Sequence, residues 1–297
     1  MNPSESFKGI FSKSVKPVVI EEIVDYYFFR RVAVYLVPFW VKLRLSPNQV
    51  SGVSLLCGLS SAIIFYLGNF FIGALLLLTA VILDCSDGML ARLTGESSAL
   101  GHMIDSLVDQ TWVPCVWFAI WGSGYSRVVG GAFSILMLMA GISFFIHTWT
   151  FDRAQNAYLD LCLPDQSEKE LNYDEVVDLM QRNWREKKFI YGGLYAMMTA
   201  LQRIFGRVGE GAEKPEVAEG IRLQASRLLS GPLRLWSFNG LGTYLALIIA
   251  SGLLTPFYPR AFLCALWIIL IVMNVIWIFG AAFWFFRYRK VQKMKMY

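Results

Sequence analysis

The sequence is short of charged residues and of histidine, and both shortages narrow its functional classes. Only 16% of its 297 residues are charged, whereas a soluble domain carries about a quarter. The two histidines, His102 and His147, are too few for a histidine-rich metal site. The five cysteines are scattered with no CxxC spacing, which argues against both a disulfide framework and a zinc site.

What the chain has instead is apolar residues, 56% of the total, gathered into long runs. Each run approaches the ~20 residues that a helix needs to cross the hydrocarbon of a bilayer. The predicted fold is therefore an all-α integral membrane protein with six transmembrane helices. The predicted spans are 50–67, 70–93, 100–121, 128–149, 240–257 and 261–286.

The charges predict how these spans are oriented. With the N-terminus inside, the external loops 68–69, 123–127 and 255–260 contain only Arg127 and Arg260 of the 27 Lys and Arg residues. The positive-inside rule then predicts that both termini are cytosolic. The weakly apolar stretch 189–201 is interpreted as interfacial; if it crosses, the C-terminus moves outside.

Four regions follow from this pattern. Residues 1–45 form a polar tail and an amphipathic juxtamembrane helix at 17–44, interrupted near Pro38. Residues 46–150 hold four spans, 151–237 form a polar cytosolic insert, and 238–297 hold the last two spans and a basic tail. Since that tail follows directly from a span, it is interpreted as an interface anchor and no nucleic-acid partner is expected.

The most informative stretch carries four aspartates. Asp84 and Asp87 lie three residues apart, and Asp105 and Asp109 lie four apart, so each pair shares one face of a helix. A short turn at 94–98 predicts that the two helices are antiparallel neighbours. Residues equally far from the turn lie at equal depth in the membrane. Asp84 is therefore expected at the depth of Asp109, and Asp87 at the depth of Asp105.

Four carboxylates inside a bilayer need positive charge. An ionised aspartate at the centre of a membrane helix costs roughly 2.5–3.5 kcal/mol, and Arg92 is the only cationic residue between 84 and 109. Oxygen ligands favour hard cations, so the stretch predicts two Mg²⁺ or Mn²⁺ ions rather than zinc. Gly88, Ala91 and Gly101 keep the flanking faces free of bulk, either for close helix packing or, beside four carboxylates, for a ligand.

The stretch from Asp84 to Asp109 resembles the signature of the CDP-alcohol phosphotransferase family, DxxDGxxAR, eight residues, GxxxDxxxD. Every fixed position is present. The run Ser46-Pro47-Asn48-Gln49-Val50-Ser51 is similar to the family's TPNxxT element, with serine at both threonine places. The number of spans and the surface-lying N-terminal helix also fit the family.

The resemblance implies a role for each of these residues. Asp84, Asp87, Asp105 and Asp109 would be the metal ligands, and Asp109 would also act as general base on the acceptor hydroxyl. The CDP moiety would be held by residues beside them, namely Asn48, Gly88, Ala91, Arg92 and Gly101. The resemblance further implies an active site near the cytosolic face, a CDP-linked donor, an alcohol acceptor, membrane lipid as a partner and a homodimer.

Several alternatives remain open at this point. Family members transfer a phosphatidyl-type group from CDP-diacylglycerol, or phosphocholine or phosphoethanolamine from a CDP ester to diacylglycerol. Ser106 after Asp105 favours the first, since the second group often has histidine there. Arg153 is interpreted as an interfacial anchor in preference to a ligand for an acceptor phosphate. A membrane aromatic prenyltransferase and a transporter or scaffold are the rival classes.

Overall fold

Helices make up the regular structure of the described residues in this computed structural model. The description covers 7–95, 99–164, 177–178, 181–182, 185–186, 193 and 218–295, without the side chains of 8, 99–110, 128 and 295. The helices are α1 Phe7–Ser14, α2 Arg30–Ala33, α3 Val37–Leu43, α4 Pro47–Tyr66, α5 Phe70–Thr94, α6 Ala99–Gly122, α7 Ser126–Val129, α8 Ala132–Cys162, α9 Glu219–Trp236, α10 Leu241–Leu254, α11 Ala261–Trp267 and α12 Asn274–Lys295. Two π-helical stretches, Asp25–Phe29 and Ile268–Met273, precede α2 and α12.

Within the described residues, five helical stretches are long and apolar enough to cross a membrane. They are Pro47–Tyr66, Phe70–Thr94, Ala132–Cys162, Glu219–Leu254 and Ala261–Met294. Thr111–Gly122, on the predicted third span, is apolar but shorter. The prediction of a helical membrane protein is confirmed, and the count of six spans stays a prediction.

Local sequence signals set the ends of α4 and α5. Ser46 and Gln49 form a reciprocal capping box at the start of α4. Pro47 occupies the first turn, where a backbone N–H would have no partner within the helix, so the missing N–H of proline costs no hydrogen bond. The Asn69 side chain accepts a hydrogen bond from the Ile72 amide at 3.1 Å and begins α5. Gly95 ends that helix with φ +72°, a backbone conformation that favours glycine.

The aspartate-bearing helix α5 packs between α4 and α10, and small residues let the helices approach closely. A Cβ atom on Gly252 would lie 2.6 Å from that of Ala74 on α5. On the other side of α4, Gly58 leaves room for the fully buried Trp112 of α6, 2.8 Å from its Cβ position. Small residues at helix contacts are the usual device for close packing in membranes.

A second apolar core lies apart from the main one. It joins the last turns of α8, the amphipathic helix α9 and the C-terminal part of α12, and Tyr158 and Ser226 share a hydrogen bond of 2.8 Å inside it. Helices α8 and α9 thus extend into 151–237, the predicted polar insert. Of the weakly apolar stretch 189–201, the structure describes only residue 193, so its predicted interfacial position is not tested.

The N-terminal segment is a series of short helices, with a break close to Pro38. Helix α2 ends at Ala33 and α3 begins at Val37, and Pro38 lies in the first turn of α3. At the end of α3, Arg44 takes up a left-handed conformation with φ 55°, which turns the chain into α4. Helix α3 presents the apolar side chains of Phe39 and Leu43 on its outer face, while Val37 is buried.

Distant parts of the chain hold this segment in place. The guanidinium of Arg234 on α9 donates to the carbonyl oxygens of Val18 and Glu21, at 2.7 and 2.8 Å. Gln155 on α8 donates to the carbonyl of Ile20 at 2.9 Å. The N-terminal segment therefore lies between α5 and the second core.

Candidate active site on helix α5

Helix α5 carries the first half of the aspartate stretch without a break. Asp84 is half-buried and Asp87 is only 2% exposed. Since α5 is continuous from Phe70 to Thr94, these two carboxylates, Gly88 and Ala91 follow one another along a single face. One carboxylate oxygen of each aspartate, Oδ1 of Asp84 and Oδ2 of Asp87, is fully buried.

The second half of the stretch lies on helix α6. Gly101, Asp105 and Asp109 all fall in its helical backbone, so their spacing of four residues keeps them along one face. Their side chains lie outside the described residues. The predicted meeting of the four carboxylates therefore remains a prediction, as does the predicted depth of each pair.

Arg92 follows Gly88 by one turn of the same helix, and its guanidinium lies beside Gly88. The atoms nearest to a Cβ atom on Gly88 would be those of the Arg92 guanidinium, with its two terminal nitrogens at 3.5 and 3.6 Å. Arg92 Nε also donates to the carbonyl of Ser14 at the end of α1. A cationic group beside a glycine and two carboxylates suits an anionic ligand that is bound together with cations.

Asn48, the remaining residue assigned to the CDP moiety, is exposed in the first turn of α4. The serines around it have local roles. Ser46 caps the helix, and the Ser51 hydroxyl donates to the Pro47 carbonyl at 3.1 Å. The hydroxyls of this element thus act in the helix start itself.

An acidic cluster from the N-terminal segment borders α5. Glu21, only 3% exposed, accepts from Arg30 Nε at 2.8 Å and from the Lys16 amide at 2.9 Å. Glu22 accepts from the backbone amide of Gly242 at 2.7 Å, which places a carboxylate at the positive N-terminal end of α10. The sequence prediction included these charges in an amphipathic surface helix and missed their burial.

Asp25 belongs to the same cluster and is crowded against α10. A Cβ atom on Gly242 would lie 1.9 Å from Asp25 Oδ1, so no larger residue fits there without movement. Burial raises the pKa of Asp25 to about 6, against the opposing effect of Arg30. Burial and the neighbouring Asp25 also raise the pKa of Glu22 well above its usual range.

In the variant Asp25→Asn, the free energy of unfolding is expected to fall less as the pH rises than it does in the wild type. The raised pKa means that the folded state binds a proton more tightly than the unfolded state. This contribution is complete below the ordinary pKa near 3.8 and is lost as the pH rises through about 6. The asparagine variant should therefore be more stable than the wild type at pH 8 by about 1–3 kcal/mol.

Thermal unfolding in detergent at pH 5 and pH 8 measures this difference. Asp160→Asn, which changes an exposed aspartate on α8, is the matched control. Any pH dependence of stability that remains in Asp25→Asn is expected to come from Glu22. Equal pH dependence in the wild type and in Asp25→Asn would contradict the prediction.

The oxygen chemistry of Asp84 and Asp87 fits a hard divalent cation. Carboxylates one turn apart, each with a buried oxygen, are the donors that Mg²⁺ and Mn²⁺ prefer. Among the side chains that the structure describes, no three His, Cys, Asp or Glu residues come together as a metal cluster. Further ligands for a cation at this pair would have to come from beyond those side chains, as Asp105 and Asp109 would.

The described residues define a helical membrane protein with two carboxylates, a small-residue face and a guanidinium on one helix. Residues 44–157, rather more than a third of the chain, match the sequence model of the CDP-alcohol phosphatidyltransferase family. The predicted resemblance to this family is confirmed for these residues. The matched region contains α4, α5, α6 and most of α8, with all four aspartates.

Curated relatives agree with the family match. An archaetidylinositol phosphate synthase of Pyrococcus horikoshii is 34% identical over 85 residues, which are 29% of this chain and 45% of that protein. A phosphatidylinositol phosphate synthase of Streptomyces avermitilis is 29% identical over 137 residues, 43% of this chain and 56% of that protein. The chain thus spans about half the length of these relatives.

Proposed function

We propose that the protein is a membrane enzyme of phospholipid synthesis. It transfers a substituted phosphate group from a CDP-linked lipid donor, such as CDP-diacylglycerol, to an alcohol and releases CMP. The single observation that supports this most is the unbroken α5 face with Asp84, Asp87 and Gly88, in a segment that matches the family. Arg92 beside Gly88 supplies a cation for the phosphates of the donor.

The reaction is divided among the four aspartates. Asp84, Asp87, Asp105 and Asp109 would hold two divalent cations, which would neutralise the pyrophosphate and the charge that develops on the leaving phosphate. Asp109 takes the proton of the acceptor hydroxyl. The acceptor oxygen then forms a bond to the phosphorus farther from cytidine, the bond from that phosphorus to the bridging oxygen breaks, and CMP leaves.

The space beside Gly88 suits the donor. The three atoms nearest to its Cβ position all belong to the guanidinium of Arg92, a flexible side chain, so a nucleotide that binds this cation would lie beside the α5 backbone. Ala91 continues the same face with a small side chain. Gly101 on α6 and Asn48 on α4 complete the proposed CDP contacts.

Inositol phosphate is the first acceptor to test, because two relatives are named as synthases of inositol phosphate lipids. Arg153 is a candidate for its phosphate. It is exposed just after the apolar part of α8, with its guanidinium 4.8 Å from the ring centre of Trp149. We further propose a homodimer with the active site and both termini on the cytosolic side.

Mass spectrometry of the lipids made by the purified protein tests the proposed function. CDP-diacylglycerol with inositol phosphate is expected to give CMP and one new phospholipid in equal amounts, and protein with Asp84→Asn is expected to give neither. CDP-choline with diacylglycerol is the comparison reaction, and product from that pair alone would reverse the proposed direction of transfer. Failure to release CMP with either donor and with a panel of alcohols would refute the proposal.

A further inference from the structure

A hydrogen bond joins the membrane-surface helix α3 directly to the aspartate turn of α5. The indole Nε1 of Trp40 donates to the hydroxyl of Ser86 at 3.0 Å, across 46 positions of sequence. Ser86 lies between Asp84 and Asp87 and is fully buried. A buried hydroxyl in this position affects the one turn of helix that carries both carboxylates.

The Ser86 hydroxyl makes a second hydrogen bond, to the backbone of α5. Ser86 Oγ donates to the carbonyl of Leu83 at 2.7 Å, so its single proton is used there and its lone pairs are left to accept from Trp40. In an α-helix the same carbonyl accepts the backbone amide of Asp87. Trp40, Ser86, the Leu83 carbonyl and the Asp87 amide therefore form one continuous chain of hydrogen bonds.

This chain selects one conformation of the turn. A serine inside a helix that bonds to a carbonyl one turn back competes with the helical ladder and often bends the helix. The Trp40 donor fixes the rotamer in which Ser86 makes that bond. The orientation of Asp84 and Asp87, on either side of Ser86, then depends on a residue outside α5.

Both the backbone and the side chain of Trp40 have partners in the structure. Its carbonyl accepts the amide of Leu45 at 3.2 Å, in the turn that ends α3 and leads into α4. Its neighbour Phe39 is 51% exposed on the outer face of α3, while Val37 is buried. The indole packs, partly buried, against the main core, and its N–H bonds to Ser86.

We propose that Trp40 is a positioning residue, which acts through Ser86 to set the geometry of the Asp84–Asp87 turn for cation binding. The proposal rests on the function proposed above, because it assumes that these carboxylates bind divalent cations. It assigns to the surface helix a role in the active site in addition to contact with the membrane. Trp40 does not touch the reacting groups in this scheme.

The test is a Mn²⁺ titration of the full-length purified protein in detergent, followed by electron paramagnetic resonance of the free ion. Trp40→Phe keeps the aromatic ring and removes the N–H, and Ser86→Ala removes the hydroxyl. Each is expected to weaken Mn²⁺ binding by about fivefold, the scale of one net hydrogen bond. The double variant is expected to bind no more weakly than Ser86→Ala alone, because both changes break the same chain.

Trp277→Phe is the matched control. Trp277 makes the same kind of bond, from its indole Nε1 to the hydroxyl of Thr150 at 2.7 Å, on helices that do not carry the aspartates. This variant is expected to bind Mn²⁺ like the wild type, so the general effect of losing a buried indole bond is measured separately. Thermal unfolding of each variant shows whether it is folded.

Three outcomes would overturn the proposal. They are wild-type Mn²⁺ affinity in a folded Trp40→Phe, additive effects in the double variant, and equal weakening by Trp277→Phe. If Trp40→Phe does not fold, Ser86→Ala and its comparison with Ser86→Thr, which keeps the hydroxyl and is expected to restore affinity, decide the matter. Because binding is read without substrate, absence of CMP release in the wild type would refute the proposed function and leave this test intact.

Discussion

Asp84→Asn and Asp87→Asn are each expected to lower CMP release by roughly a hundredfold or more, while the protein stays folded. Asparagine keeps the size of each side chain and removes the negative charge that would hold a cation beside the pyrophosphate. The loss of a single well-placed electrostatic group costs an enzyme about 10²–10³ in turnover. Asp105→Asn and Asp109→Asn should behave alike, since all four are assigned to one site.

Initial rates of CMP release from CDP-diacylglycerol, measured for equal amounts of folded protein, provide the comparison. Asp160→Asn is the control, because it removes an exposed carboxylate from α8 and none from the aspartate stretch. Its rate should equal that of the wild type. Full activity in any one of the four motif variants would show that the carboxylates do not share a site.

Chelation is expected to have an equally large effect. EDTA should stop CMP release by the wild type completely, because without cations the carboxylates would repel both one another and the pyrophosphate of the donor. Addition of Mg²⁺ or Mn²⁺ in excess of the chelator should restore the rate. Zn²⁺ is expected to restore it poorly, since carboxylate oxygens favour harder ions.

The control for chelation is a measurement of folding under the same conditions. Thermal unfolding with and without EDTA shows whether removal of cations also unfolds the protein. Restored activity after the addition of Mg²⁺ identifies a reversible loss of cofactor. Undiminished turnover in EDTA would contradict the proposed two-metal site.

Features that depend on nearby residues were predictable from the sequence. The apolar runs gave the helices, and a spacing of three or four residues placed Asp84, Asp87 and Gly88 on one face of α5. The start of α4 also follows from local signals at Ser46 and Gln49. Each of these features is decided within one or two turns of helix, where sequence spacing and spatial spacing correspond.

Features that depend on distant partners were not predictable in this way. Glu22 was expected on an amphipathic surface helix, yet it is bonded to Gly242, 220 residues further along the chain. Its half-buried position is stabilised because the backbone amide at the start of α10 supplies a donor and a positive helix end. The Trp40–Ser86 bond is likewise invisible to periodicity, because neither residue is unusual on its own helix.

The position of the N-terminal segment also has a consequence for biosynthesis. Its partners Gln155, Arg234 and Gly242 leave the ribosome long after Ile20, Glu21 and Glu22. Contacts of such long sequence separation form late and slowly. Residues 20–22 are thus made early but dock late, and in a nascent chain that ends before α10 the Glu22 carboxylate lacks the backbone amide of Gly242 that donates to it.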